Sequence, residues 1–349
     1  MKGFFKSIFY FSNFREVAMI GVSVLLIMGA TSGSAAGAAN KLLASYARPK
    51  DIPYPKENTY STSREGLGKA LFFDPRLSGS NWISCATCHN PALSWGDGLP
   101  KGIGHGMGTL GRRTPTILNL AWGELMFWDG RAGSLEEQAL GPIQAAGEMN
   151  LSHEKLLEKL VGIPAYKPLF EKAYPGEGIT KETIGKAIAT FERGVISGEA
   201  PFDRWVKGDG KAIPESAKRG FEIFNGKGKC ATCHSGWRFT DDGFHDIGVK
   251  GEDIGRGKLL PDIPAVQFAF KTPTLRNVNH RAPYLHDGSE ATLADVIEFY
   301  NRGGDAKRPD QSGDVVPLNL SATQKADLLA FMNTLTSVDK PVAAPMLPR

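Results

Sequence analysis

Apolar residues in this chain recur three and four positions apart, the period of a helix, and no run alternates long enough to make a convincing strand. A first helix is expected from Ser63, with Leu67, Ala70 and Leu71 on one face and Pro75 as its stop. From Ser152, Leu156, Leu157, Leu160 and Val161 form a second face, closed by Pro164. Thr180 to Ile196 carries Ile184, Ala187, Ile188, Phe191 and Val195 at the same spacing. Pro214 opens a helix with Ala217, Phe221 and Phe224 inward. Leu293 to Arg302 follows. A last helix starts at Ser321, where Ser321 and Gln324 make a capping box and Leu328, Phe331, Met332 and Leu335 face inward. The pattern predicts a mainly α fold, and 41 glycines with 22 prolines predict long irregular loops. One of them, Gly96 to Gly111, is glycine-rich enough to be flexible and carries a single histidine, His105.

A length of 349 residues suits about two domains. Residues 1–38 read as a secretory leader: basic Lys2, Lys6 and Arg15, an apolar core from Val17 to about Ala30, then small residues with A-x-A-like sites. That core falls short of the roughly 20 residues a membrane span needs, so cleavage is expected, with no membrane anchor once processed. Residues 39–62, with Pro53 and Pro55, read as an extended arm without a core of its own. Gly208-Asp209-Gly210 marks a boundary between domains at 63–208 and 209–349. The net charge is +4, of which the leader supplies +2, and no clustered basic face points to nucleic acid.

The chemistry is concentrated in Cys85-Ala86-Thr87-Cys88-His89 and Cys230-Ala231-Thr232-Cys233-His234, which together use all four cysteines. C-x-x-C-H is the attachment signal of c-type haem. Two thiols at this spacing add to the two vinyl groups of one porphyrin, and the adjacent histidine lies under the iron. Four thiolates could instead hold zinc, but zinc ribbons place their pairs about 15–20 residues apart and have no use for a histidine after each pair. A redox C-x-x-C leaves the histidines equally unexplained. Covalent haem is expected to be attached outside the cytoplasm, in agreement with the leader and a periplasmic location. A helix precedes each motif, so the halves read as a diverged internal repeat.

Further runs carry a resemblance: Leu71-Phe72-Phe73-Asp74-Pro75-Arg76-Leu77, Phe127-Trp128-Asp129-Gly130-Arg131, Gly141-Pro142-Ile143-Gln144, Glu148-Met149, and Leu275-Arg276-Asn277-Val278 leading to Ala282-Pro283-Tyr284. From about Leu67 to Leu335 the chain resembles the bacterial di-haem cytochrome c peroxidases and their methylamine-utilisation relatives, the MauG branch. The resemblance implies two cytochrome-c-like domains, the N-terminal haem reacting with hydrogen peroxide and the C-terminal haem passing electrons to it. It implies His89 and His234 as proximal ligands, Gln138 and Glu148 as distal pocket residues, and Trp128 between the haems. Read alone, Glu148 is a surface carboxylate, Gln138 a helix-surface amide and Trp128 core. His105 matches a histidine that caps the peroxidatic iron reversibly. The sixth ligand of the second haem falls at Tyr300, as in MauG, where the peroxidase branch has methionine; Met332 is the alternative. A phenolate favours ferric and higher-valent iron, whereas a thioether raises the potential. The family also implies a calcium ion between the haems. Arg113 stands where its asparagine aligns, leaving backbone donors at Arg281 and Pro283.

The expected function is an exported di-haem oxidoreductase acting on hydrogen peroxide, monomeric or homodimeric. Its reducing partner is either a protein whose residues it oxidises, as in the MauG branch, or a small cytochrome c or cupredoxin. The alternative of another class is a di-haem electron carrier with both irons six-coordinate.

Overall fold

The computed structural model describes residues 41–349, so the expected leader and the first residues of the arm lie outside it. The helices are α1 (Thr62–Phe73), α2 (Cys85–Cys88), α3 (Leu135–Gln144), α4 (His153–Val161), α5 (Tyr166–Ala173), α6 (Lys181–Arg193), α7 (Pro201–Val206), α8 (Glu215–Asn225), α9 (Leu293–Asn301) and α10 (Ala322–Asn333). Two-residue strands β1 (Phe244–His245) and β2 (Phe270–Lys271) pair antiparallel. The mainly α expectation holds.

Local chemistry sets the helix starts. Ser61 accepts from the Arg64 amide, and Thr180 with Thr183, Thr292 with Asp295 and Ser321 with Gln324 form capping boxes. α3, α5 and α7 were not anticipated. Pro142 lies inside α3, where a missing N–H ordinarily argues against a helix.

Two apolar cores divide the chain. The first packs Leu67, Leu71 and Phe72 of α1 against Ile184, Ala187, Ile188 and Phe191 of α6. The second packs Phe221 and Phe224 of α8 against Leu328 and Phe331 of α10, with Phe202 of α7 and Tyr46 between them. The arm therefore does more than extend: Tyr46 is 2% exposed and its hydroxyl donates to Asn225 at 2.9 Å. Asn58, also buried, donates to Glu136 and to the Lys186 carbonyl.

Each core is built on one helix crossing. In α1 a Cβ added to Gly68 would fall 1.9 Å from the Ala187 carbonyl oxygen, and in α8 one added to Gly220 would fall 2.0 Å from that of Asp327. Only glycine allows either approach. The repeat extends further. Arg113-Thr114-Pro115-Thr116 realigns residue for residue with Lys271-Thr272-Pro273-Thr274. Three positions on, Asn119 and Asn277 both adopt the left-handed conformation and accept from the Ser197 and Ser337 amides. The halves meet through a reciprocal pair of bonds: the Arg113 amide donates to the His286 carbonyl at 2.8 Å, and the Lys271 amide to that of Trp128 at 2.7 Å. In the realignment Arg113 corresponds to Lys271 and Trp128 to His286, so this exchange marks a local two-fold axis.

Candidate functional site

Cys85 and Cys88 span one helical turn, capped by Ser84, and the His89 amide closes it on the Cys85 carbonyl at 2.8 Å. The second motif repeats this, with the His234 amide on the Cys230 carbonyl at 2.8 Å. His89 Nδ1 meets the Trp95 carbonyl at 3.2 Å, and His234 Nδ1 the Phe239 carbonyl at 2.9 Å. Trp95 and Phe239 both have positive φ, which turns those carbonyls onto the rings. A ring whose Nδ1–H is so held presents Nε2 as its lone-pair nitrogen. Burial lowers both histidine pKa values and keeps the imidazoles neutral, the form that binds a metal.

Both motifs open into one cavity of about 760 Å³. Gln138 and Pro142 of α3, Glu148 from the following loop, Trp128, Tyr300 of α9 and Met332 of α10 line it. Gln138 Oε1 is buried without a partner. Burial pushes the Glu148 carboxyl above the usual range, with Arg131 opposing. Burial likewise pushes the Tyr300 phenol up, reinforced by Cys230 and Cys233. The Trp128 indole N–H donates to the Arg113 carbonyl at 2.8 Å, and its ring meets His286 edge-on at 6.4 Å between centroids. Four thiols and two neutral imidazoles opening into one cavity, mostly apolar but edged with charged side chains, fit two c-type haems. They do not fit one zinc tetrahedron, because each pair belongs to a different core.

The structure does not bring His105 into this lining; Gly104 lines the wall instead. The loop is hydrogen-bonded at Gly104 to Gly108 and at Leu110 to Gly102. The His105 amide donates to the Gly147 carbonyl, whose oxygen lies 1.9 Å from where a Gly104 Cβ would be. The glycines that suggested flexibility instead permit this close docking beside Glu148. The residues also fail to fit the calcium expectation, because the Arg281 carbonyl already accepts from the Arg113 guanidinium. Cys233, Asp241 and His245 lie within 4.8 Å of one another, but Cys233 belongs to a haem motif and Asp241 holds the His245 ring at 2.9 Å.

The profile described as di-haem cytochrome c peroxidase matches residues 62–211, and that of cytochrome c matches 217–336. The methylamine utilization protein MauG of Methylorubrum extorquens is 51% identical over 310 residues, covering 88% of both chains. This chain belongs to the di-haem cytochrome c peroxidase and MauG family. It carries two covalently bound c-type haems and is a haem oxidoreductase acting on peroxide. The cytochrome c551 peroxidase of Pseudomonas aeruginosa, from the other branch of the family, is 33% identical over 310 residues, covering 86% of each chain. Among solved structures, a MauG-like protein associated with microbial copper homeostasis matches with a TM-score of 0.76 at 32% identity, covering 83% of this chain and 95% of that one.

Glu192 and Pro142 were missed by reading the sequence. Glu192 ends α6, lines the cavity, leaves Oε2 buried and unpartnered, and is held at about 8 by burial, with Arg193 opposing. In its α-helical run it resembles a surface residue, flanked by Arg193. The realigned repeat was the available signal. Thr292-Leu293 pairs with Ser134-Leu135, and counting on from there sets Pro142 opposite Tyr300 and Gln138 opposite Val296.

Proposed function

We propose that this protein is an exported, MauG-like oxidoreductase: it takes oxidising equivalents from hydrogen peroxide at the N-terminal site, shares them with the C-terminal site, and oxidises residues of a partner protein. The observation that carries this reading is the pairing of Pro142 with Tyr300 at matching positions of the two halves. Proline offers no ligating atom and would leave a haem in the N-terminal site open, whereas Tyr300 would offer the other an oxygen donor. The domains follow at 63–208 and 209–349, after a leader at 1–38 and an arm at 39–62.

Cys85, Cys88, Cys230 and Cys233 hold the porphyrins, and His89 and His234 are the proximal ligands, each oriented through Nδ1. The bound haem iron supplies the redox chemistry. Glu148 takes the proton from the near oxygen of peroxide and returns it to the far one, a transfer worth about 10²–10⁴-fold. Its raised pKa suits the second half of that task, in which it acts as an acid. Gln138, with a free buried Oε1, orients the peroxide or a water by accepting a hydrogen bond from it. Tyr300 ionises only against a positive centre, since burial alone opposes the phenolate. Met332 packs with Leu328, Phe331 and Leu335 and is read as core. Trp128, whose indole N–H is bonded to the Arg113 carbonyl at the junction of the halves, carries electrons between them in this reading. His105 is left without a ligand role.

Two observations favour the MauG branch over a peroxidase fed by a small cytochrome c or cupredoxin: Tyr300, and the higher identity to MauG than to the cytochrome c551 peroxidase. Peroxide addition to the wild type and to Tyr300→Met tests the assignment. The wild type is expected to hold both oxidising equivalents in a long-lived state spread over the two haems. The variant is expected to lose that state while keeping two haems. An unchanged oxidised state in the variant removes Tyr300 from the mechanism.

A further inference from the structure

Two arginines line the cavity with no ion pair to an acid among the described residues. Arg113 and Arg281 are 7% and 6% exposed, and each leaves its Nε buried and unpartnered. The hydrogen bonds of their guanidinium groups go to backbone carbonyls. Arg113 Nη2 donates to Arg281 O at 2.5 Å and Nη1 to Thr114 O at 3.4 Å, while Arg281 Nη2 donates to Thr274 O at 2.5 Å. Burial lowers both pKa values; the Arg113 charge lowers Arg281 further, while Asp97 opposes the shift of Arg113. Unpaired charge at this depth is expensive unless an anion meets it.

The repeat makes the imbalance specific. Lys271, the counterpart of Arg113, does an equivalent job: its Nζ donates to the Leu125 carbonyl at 2.7 Å. Yet Lys271 also meets a carboxylate, Asp242, at 3.5 Å. Among the described residues the N-terminal member makes no ion pair; Asp97 acts on Arg113 only through its charge at longer range. The Arg113 backbone is fixed where the halves join, donating to His286 O and accepting from the Trp128 indole.

We propose that Arg113, with Arg281 beside it, is a built-in cation at the junction of the two haem sites, taking the place the family gives to a calcium ion and meeting the haem carboxylates there. Calcium needs six to eight oxygen ligands. One of its two expected backbone donors, Arg281 O, is occupied by the guanidinium, and the asparagine that would supply a side-chain oxygen is Arg113 itself. A divalent ion would also be repelled by two fixed positive groups. The covalent cation needs no metal supply and cannot be stripped by a chelator.

The proposal rests on the two-haem reading, and metal analysis separates the two. The purified holoprotein is expected to contain two irons and substoichiometric calcium per chain. Prolonged exposure to EDTA should leave its optical spectrum and both midpoint potentials unchanged. In Arg113→Asn, haem content should stay at two. Because a lost positive charge favours the oxidised state, at least one midpoint potential should fall, and added calcium should raise it again. Arg113→Lys, which keeps the charge, should stay nearer the wild type. One calcium per chain in the wild type, with a spectrum or potential that moves when it is removed, overturns the proposal, as does an Arg113→Asn protein with wild-type potentials. If Arg113→Asn does not fold, the wild-type calcium content and EDTA response decide alone. Fewer than two irons would instead count against the haem assignment.

Discussion

The two halves of this protein share a skeleton and differ at the positions that face the cavity. Both are built on a glycine-mediated helix crossing, Gly68 on Ala187 and Gly220 on Asp327. Both hold a histidine by a carbonyl from a residue with positive φ, and both lock an asparagine against a serine amide. Against that sameness, Gln138 faces Val296 in the realignment, Pro142 faces Tyr300, and Arg113 faces Lys271. The lesson is that cofactor attachment and reactivity are separable. Attachment belongs to the repeated scaffold. In the proposed reading, reactivity belongs to a few side chains on α3 and α9 and the loop that carries Glu148.

Replacing Glu148 should break the comparison most. Glu148→Gln is expected to slow the reaction with peroxide by about 10²–10⁴-fold in stopped-flow measurements, with haem content unchanged, because the amide cannot relay the proton. In the wild type the acid limb of that rate should lie above the ordinary carboxylate range, since a carboxyl with a raised pKa is still protonated there and cannot act as base. A rate independent of Glu148 would leave the two halves chemically equivalent in this respect.

Glu192 offers the next test, because the second half has no buried acid at the matching turn of α10, where Met332 stands. Its carboxyl is held at about 8 in the folded chain and sits near 4.5 when unfolded. Between those values the native state binds one more proton than the unfolded state. Stability therefore falls as pH rises through that window, by up to about 1.4 kcal/mol per pH unit. Glu192→Gln should flatten this slope in denaturant titrations of the holoprotein between pH 5 and pH 8. An unaltered slope would mean the carboxyl finds a partner in the holoprotein.

The glycine crossings should show sameness instead. Gly68→Ala and Gly220→Ala each force a methyl against a carbonyl oxygen and should each cost about 1–3 kcal/mol, read by thermal unfolding. A large loss in one half and none in the other would argue against a shared scaffold.

Much of this was legible in the sequence. The helices with clean apolar spacing and side-chain caps at Thr180 and Ser321 fell where the periodicity put them. The haem motifs were legible because porphyrin chemistry dictates their spacing. α3 was hidden by Pro142, a residue that periodicity counts as a helix breaker and that here faces the cavity. The docking of the arm onto the second core was not legible because one buried side chain, Tyr46, makes no pattern at all. The docking of the loop that carries His105 was not legible because glycine signals both freedom and close approach, and only the position of the Gly147 carbonyl tells which. Glu192 and the Arg113–Arg281 pair are contacts between distant segments, and one-dimensional spacing does not record them.

The proposed inequality of the two sixth positions, at Pro142 and Tyr300, is the point on which the rest turns. Electron paramagnetic resonance of the diferric holoprotein reads them directly. One high-spin and one low-spin haem per chain is the predicted spectrum, with the low-spin signal altered in Tyr300→Met and the high-spin signal untouched. Two haems of the same spin state, or a high-spin signal that changes with Tyr300, would contradict it.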